Sequence, residues 1–277
     1  MPELPEVETI ARGLGRALVG ETVKAVKVLR PDSVASPGPA RFEKILVGRT
    51  FKRFSRRGKY ILVDLDDKSG MVCHLRMSGR LLVKPGKSKP GRFLRVKFIL
   101  ASGLELHFED MRVFGRLWFK EVEQSFEDAV PGLSALGVEP LEGAIGAHMQ
   151  KAFAGKKQSV KAALLDQRIL AGVGNIYADE ALFLAGINPA TAAGKVSKAR
   201  VESLGNAVRS VLNSGIESGG STLRDYVSSE GVNGNYQNQA WVYGRFKEPC
   251  RRCGHAIERV KLAGRSSHFC PRCQPRK

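Results

Sequence analysis

No stretch of the 277-residue sequence approaches the ~18 consecutive apolar residues that a membrane-crossing helix needs, so no segment reads as such a helix. Acidic residues are few: 27 Asp and Glu stand against 45 Lys and Arg, a formal net charge of +18. An excess of that size is self-repulsive on a folded chain, and it points to a polyanionic partner. Internal repeats and low-complexity tracts are missing. At 43% hydrophobic and 26% charged, the chain has a globular rather than a disordered composition. The opening residues Pro2, Glu3, Leu4, Pro5 and Glu6 are acidic and proline-broken, the opposite of a secretory n-region. At ~150 residues per domain there is room for about two domains. The expectation is a cytoplasmic protein that binds nucleic acid and no membrane.

Cysteine is also missing between Cys73 and Cys250, and then four fall together: Cys250, Cys253, Cys270 and Cys273. The pattern C-x2-C-x16-C-x2-C suits a four-thiolate zinc ribbon, because a two-residue gap lets two thiolates from one tight turn reach one metal. Two disulfides are the competing reading, and a reducing compartment disfavours them. One Zn2+ with four protein ligands has no open position, so its role is structural. The tail from Arg245 to Lys277 carries ten basic residues against two acidic ones, which suits a metal-stapled hairpin presenting cations to phosphate. Cys73 lies in an apolar run and reads as an ordinary buried thiol.

The first half is β-rich. Short apolar or alternating runs at 60–65, 71–75, 94–100, 104–108 and 116–119 are punctuated by Gly70, Gly79, Gly86, Gly103 and Gly115, as in a sandwich or barrel. Helices are expected at about 6–18 and 41–46. Residues 130–146, with Pro131, Gly132, Gly137, Pro140 and Gly143, read as a linker. Beyond it the spacing turns helical: Ser197 is placed to cap a helix carrying Val201, Leu204, Val208 and Val211, which Gly219 and Gly220 end. Residues 220–239 follow without periodicity, as in a functional lid or a disordered loop.

Residues 161–170 and 176–185 read as helices flanking the glycine turn Gly172-Val173-Gly174-Asn175. Asn175 is either a phosphate ligand at a helix N-terminus or a plain helix cap. The N-terminus is similarly two-sided. Pro2, Glu3 and Glu6 suit an ordinary helix start, with proline and acids in the first turn. Removal of Met1 would instead leave Pro2 as a secondary amine with a pKa of ~8, nucleophilic at neutral pH. Such an amine can attack an anomeric carbon while a nearby carboxyl shuttles protons.

Met1 to Thr9 reads MPELPEVET, and ordered blocks follow: Arg57-Gly58-Lys59-Tyr60, His74-Leu75-Arg76-Met77-Ser78-Gly79, Arg112-Val113-Phe114-Gly115, Gly172 to Ala178, Gly219 to Leu223, and the ribbon ending at Gln274. Together they resemble the bacterial formamidopyrimidine-DNA glycosylase family over essentially the whole chain. The resemblance implies an α+β protein. An N-terminal β-sandwich with flanking helices would be followed by a C-terminal helical helix–two-turn–helix domain and a zinc-ribbon β-hairpin. The implied boundaries are 1–130 for the catalytic sandwich, 131–145 for a linker, 146–240 for the helical DNA-binding domain with a lesion loop at about 220–239, and 241–277 for the zinc finger.

The implied activity is removal of oxidised purines, 8-oxoguanine and formamidopyrimidines, from double-stranded damaged DNA by a monomer located with the chromosome, followed by β,δ-elimination at the abasic site. By the same resemblance Pro2 is the Schiff-base nucleophile, Glu3 the proton shuttle and Glu6 a supporting carboxylate. Lys59 and Arg265 assist the eliminations. Met77, Arg112 and Phe114 form the wedge that fills the space left by a flipped base, and Lys157, Asn175 and His74 contact DNA. Two departures stand out: Gly91-Arg92-Phe93 where many relatives carry His, so that the DNA contact is either absent or supplied by Arg92, and Ser266-Ser267 where a Thr is expected at one position. The competing enzyme is of the endonuclease VIII type, acting on oxidised pyrimidines. The competing class is a non-catalytic zinc-ribbon DNA-binding protein, which leaves the Pro2-Glu3 terminus unexplained.

Overall fold

The computed structural model describes residues 1–221 and 234–276. It divides into two compact units, Met1–Ala135 with Gly219–Gly234, and Leu136–Ser218 with Asn235–Lys277.

The first unit opens with helix α1 (Leu4–Leu18). Val7, Ile10, Ala11, Leu14 and Leu18 recur at helical spacing and are all buried, so one stripe faces the core. The strands are β1 (Val23–Val28), β2 (Val34–Ser36), β3 (Phe51–Arg57), β4 (Tyr60–Leu65), β5 (Gly70–His74), β6 (Gly79–Lys84), β7 (Leu94–Leu100), β8 (Glu105–Asp110) and β9 (Arg116–Lys120), with helix α2 (Pro39–Ile45) after β2. They form a four-stranded sheet in the order β1-β7-β8-β6 and a five-stranded sheet in the order β2-β9-β5-β4-β3. One apolar cluster joins α1 and α2 to both sheets, with Phe51, Ile61, Met71, Phe98, Leu106, Phe108 and Leu117 at its centre. The expected sandwich is therefore present. Strand β7 alternates buried and half-buried residues throughout, the signature of one wet face. Strand β5, in the middle of its sheet, is buried at every position.

Strands β1, β2, β3 and β6 escape the sequence pattern, and for β1 and β3 the reason is visible: β1 buries every third residue and β3 fully buries only its first. Both β1 and β3 carry a register shift, between Val23 and Ala25 and between Phe51 and Arg53. Strand β7 is bulged as well, between Leu94 and Val96, yet keeps its alternation, so the irregular burial of β1 and β3 and not the bulge hides them. The short helices α3 (Phe126–Ala129) and α4 (Pro131–Ser134) close the unit, and α4 falls inside the glycine- and proline-rich stretch expected to be a linker.

The second unit contains α5 (Gly146–Phe153), α6 (Val160–Leu165), α7 (Asn175–Leu184), α8 (Lys198–Glu217) and the antiparallel hairpin β10 (Glu258–Leu262) and β11 (Arg265–Phe269). Helix α6 stops at Leu165 and does not run to 170 as expected. Gln167 replaces helical hydrogen bonds with its own: Nε2 donates to the carbonyls of Leu165 (3.0 Å) and Val173 (2.8 Å), and Oε1 accepts from the Gly172 N–H (2.9 Å). Gly172 takes φ +83°, a conformation that favours glycine. Ser197 is the N-cap residue of α8 but its side chain makes no capping hydrogen bond. No helix among the described residues is long and apolar enough to cross a membrane.

Two adjacent carboxylates of α7 secure the C-terminal segment. Glu180 is fully buried and accepts from three successive backbone N–H groups, Trp241 (2.7 Å), Val242 (2.9 Å) and Tyr243 (2.9 Å). Burial pushes its pKa up while those three donors pull it back. Asp179, also fully buried, forms an ion pair with Lys161 (2.6 Å) and accepts from the His268 N–H (2.9 Å). Replacing Glu180 by Gln turns one acceptor oxygen into a donor facing an N–H. Chemical denaturation of Glu180→Gln should show a loss of about 1–3 kcal/mol, the usual cost of an unsatisfied buried group.

Candidate functional site

In the first unit the N-terminus is held by its own acids. Pro2 is buried and Met1 is exposed. Glu3 caps α1 in extended conformation, its N–H donating to Glu6 Oε2 (2.8 Å) while its side chain accepts from the Glu6 backbone. The other oxygen of Glu6 accepts from the Ser221 N–H (2.8 Å). Glu6, only 2% exposed, thus joins the start of α1 to the segment that follows Gly219. Gly219 and Gly220 both take positive φ, +71° and +87°. A Cβ at Gly234 would lie 2.3 Å from the Gly220 carbonyl oxygen, so only glycine fits where these ends meet. Of the lesion loop expected at 220–239, residues 222–233 lie outside the described residues.

Lys59 is buried in the two-residue turn between β3 and β4, next to Gly58 at φ +55°. His74, at the end of β5, accepts the Arg76 N–H on Nδ1 (3.0 Å) and meets the Tyr60 ring edge-on at 4.5 Å. Burial, reinforced by the charges of Arg76 and Lys59, holds its pKa down to about 3. His74 is therefore a neutral imidazole whose Nε2 carries the hydrogen, a donor without charge. Cys73 is completely buried and burial raises its thiol pKa, which leaves it inert as expected.

Met77 lies on the turn between β5 and β6, and Arg112 and Phe114 lie on the turn between β8 and β9. Both turns cross from one sheet to the other at the same end of the sandwich. Arg112 stacks over the Phe114 ring at 4.9 Å, and Phe114 is 48% exposed. A pocket of about 390 Å³ is lined by Met1, Arg76, Met77, Phe114 and Arg116. It brings the N-terminal residue and two of the three expected wedge residues to one cavity. Arg92, the candidate substitute for a family histidine, is exposed and lies over the Phe93 ring at 5.5 Å.

In the second unit Asn175 opens α7 and donates through Nδ2 to the Ser266 carbonyl (3.1 Å). The same carbonyl accepts from Lys161 Nζ (2.8 Å). Asn175 Oδ1 is buried without a hydrogen-bond partner. Arg265 stands exposed at the tip of the β10–β11 hairpin, immediately after Ala263 and Gly264 at φ +46° and +74°. Asn175 and the hairpin tip are thus side by side. Lys157 is exposed in the connection between α5 and α6, and no hydrogen bond ties it to either.

The sulfur atoms of Cys250, Cys253, Cys270 and Cys273 lie within 4.8 Å of one another. The pairs Cys253–Cys270 and Cys250–Cys273 are 3.5 and 4.0 Å apart, on either side of the ~3.8 Å expected between thiolates at 2.3 Å from a tetrahedral zinc. Backbone N–H groups of Arg252 and Cys273 point at Cys250 and Cys270 sulfurs, as in a metal knuckle. Gln274, fully buried, holds the second knuckle: Nε2 donates to the Ile187 carbonyl (2.8 Å) and Oε1 accepts from the Cys270 N–H (3.0 Å). The four residues can hold one zinc ion, and the donor set is closed. Sequence spacing found the cysteines; nothing in it announced Gln274, Glu180, Asp179 or Lys161.

The architecture is that of solved Fpg and MutM proteins. A Lactococcus lactis FPG mutant in complex with Fapy-dG-containing DNA superposes with a TM-score of 0.92 at 32% identity, covering 99% of this chain and all of that one. MutM from Thermus thermophilus superposes with a TM-score of 0.89 at 37% identity over the whole of both chains. Three family models match in order: the formamidopyrimidine-DNA glycosylase N-terminal domain over residues 1–117, the corresponding H2TH domain over 136–227, and the zinc finger found in FPG and IleRS over 247–276. The formamidopyrimidine-DNA glycosylases of Gloeobacter violaceus and Thermosynechococcus vestitus are 52% and 47% identical, each over 99% of this chain and 98% of the relative. The chain belongs to the formamidopyrimidine-DNA glycosylase family.

Two outcomes follow from the geometry. Elemental analysis should find one zinc per chain, and Cys250→Ser should lower both that stoichiometry and the melting temperature. For His74, the folded pKa lies below the ordinary ~6.5, so the unfolded chain takes up a proton that the folded chain refuses. Its contribution to stability is complete above pH ~6.5 and falls toward about pH 3, by about 1.4 kcal/mol per pH unit. Nitrogen chemical shifts of His74 should stay those of a neutral imidazole from pH 8 to pH 5.

Proposed function

We infer that this protein is a bifunctional DNA glycosylase and abasic-site lyase of base-excision repair, acting on oxidised purines, 8-oxoguanine and formamidopyrimidines, in duplex DNA. The observation that carries this reading is the pocket shared by the N-terminal residue, Met77 and Phe114. A nucleophile is useful there only if the reacting sugar is turned out of the helix, and wedge residues beside it are what base extrusion requires.

Removal of Met1 exposes the Pro2 nitrogen. That nitrogen bonds to the sugar C1′ as the glycosidic C–N bond breaks and the damaged base leaves, taking up a proton. Glu3, at the head of α1 beside Glu6, relays the protons for base loss and sugar-ring opening. The resulting iminium acidifies C2′; loss of that proton expels the 3′ phosphate, and a second elimination expels the 5′ phosphate. Lys59 and Arg265 assist these two steps in turn and hold the flanking phosphates.

Met77, Arg112 and Phe114 occupy the gap left by the base, with Arg112 bonding to the orphaned partner. Lys157, Asn175 and His74 grip the backbone, and the neutral donor of His74 keeps that grip constant across physiological pH. Cys250, Cys253, Cys270 and Cys273 hold one structural Zn2+, which shapes the hairpin that presents Arg265. Residues 1–130 form the catalytic domain, 146–240 the helical DNA-binding domain and 241–277 the zinc finger, in a monomer working with the chromosome in the cytoplasm.

Borohydride trapping tests the reading. A duplex with 8-oxoguanine opposite cytosine should give a covalent protein–DNA band, with the adduct mapping to residue 2. An acetylated terminus should abolish it. A band with an oxidised pyrimidine but none with 8-oxoguanine would move the substrate to the endonuclease VIII type. Binding without a band on any damaged or abasic duplex would leave a DNA-binding protein only.

A further inference from the structure

Both wedge turns are strained, and both are tied to one carboxylate. Arg76, beside Met77, takes φ +54°, and Val113, between Arg112 and Phe114, takes φ +56°. A β-branched residue in the left-handed region is costly and persists only where the surroundings enforce it. Asp110 closes β8, is completely buried, and lies opposite Gly79 in the β6–β8 register. Its Oδ1 accepts from Ser78 Oγ (2.5 Å) and the Arg112 N–H (3.1 Å), and its Oδ2 accepts from the Gly115 N–H (2.7 Å).

Ser78 Oγ also accepts from the Arg112 N–H (3.1 Å), so residue 78, next to Met77, is bound to residue 112 on the other turn. Gly115 leaves the room this needs: a Cβ there would lie 2.6 Å from Phe108 and 3.1 Å from Asp110 Oδ2. Arg116 braces the same turn by donating to the carbonyls of Val113 (2.8 Å) and Gly115 (2.9 Å).

We propose that Asp110, acting with Ser78, is the positioning pair that holds Met77, Arg112 and Phe114 in one rigid wedge, so that its integrity governs base extrusion and not the chemistry at the sugar. This rests on the wedge reading above. Opening a base pair costs a few kcal/mol, and side chains on yielding turns would relax instead of entering the stack. A carboxylate with three donors in a dry site resists that relaxation, since charge-assisted bonds strengthen where water is excluded. Asp110 touches no substrate in this scheme and acts only through the two turns.

Asp110→Asn and the milder Ser78→Ala, with Phe114→Ala as control, separate extrusion from chemistry. Single-turnover excision of 8-oxoguanine from duplex DNA should fall about ten- to a hundredfold in Asp110→Asn, and less in Ser78→Ala, the scale expected when a positioned group is displaced. Borohydride trapping on a single-stranded abasic oligonucleotide, which has no base to extrude, should stay near the wild-type rate. A 2-aminopurine placed beside the lesion should lose its wedge-dependent fluorescence rise in step with excision.

Equal losses on duplex and single strand in both variants would overturn the proposal in favour of general destabilisation. Unchanged duplex excision in both, with Phe114→Ala impaired, would refute the pair and leave the wedge standing. Unimpaired Phe114→Ala would remove the wedge and the pair with it. No trapping by the unsubstituted protein would overturn the glycosylase reading itself.

Discussion

A carboxylate taken out of water must be surrounded by donors, or it destabilises the fold that buries it. Four such groups organise this protein, and each grips a neighbouring segment by its backbone. Glu6 holds the N–H of Glu3 and of Ser221; Asp110 holds those of Arg112 and Gly115; Asp179 holds His268; Glu180 holds three residues in a row. Loops usually lack internal partners for their amide groups. Here a buried acid from a neighbouring helix or strand end supplies them, and Glu6 and Asp110 in this way hold the segments that carry Glu3, Arg112 and Phe114. Asp179 is balanced by a directly paired lysine, Lys161.

Metal and carboxylates divide the work in the C-terminal hairpin. The four cysteines set the shape of the ribbon, while α7 anchors it through Asp179 and Glu180, and Phe183 stacks on Trp241 at 5.5 Å beneath Arg252. The hydrophobic cluster there is small, too small to define a hairpin unaided. Its basic surface is therefore carried by a framework whose order comes from coordination and hydrogen bonding more than from apolar burial.

Much of the fold was legible in the sequence because its strands obey simple periods. β4 and β7 match the expected ranges at both ends, and the cysteine spacing gave the ribbon directly. Strand β1 was not legible, since it buries every third residue and so mimics no strand pattern. Nor was the early stop of α6, which depends on a single glutamine side chain folding back on its own turn. Motif resemblance named Met77, Arg112 and Phe114, with Ser78 in the same block, but the hydrogen bonds that join Ser78 and Asp110 to Arg112 carry no signal in composition or spacing. Long-range hydrogen bonds to buried acids are invisible to any local pattern, and they are what assembles the site.

The glycine contact between Gly220 and Gly234 bears on the length of the chain between them. Because the two ends of that segment are pinned together, the chain between them is a closed excursion. Its closure entropy changes by only about 0.6 kcal/mol for each doubling of length. A longer or shorter chain between the two glycines therefore changes the cost of closure little. Length is weakly constrained between Gly220 and Gly234, whereas the two glycines themselves are fixed by their mutual approach.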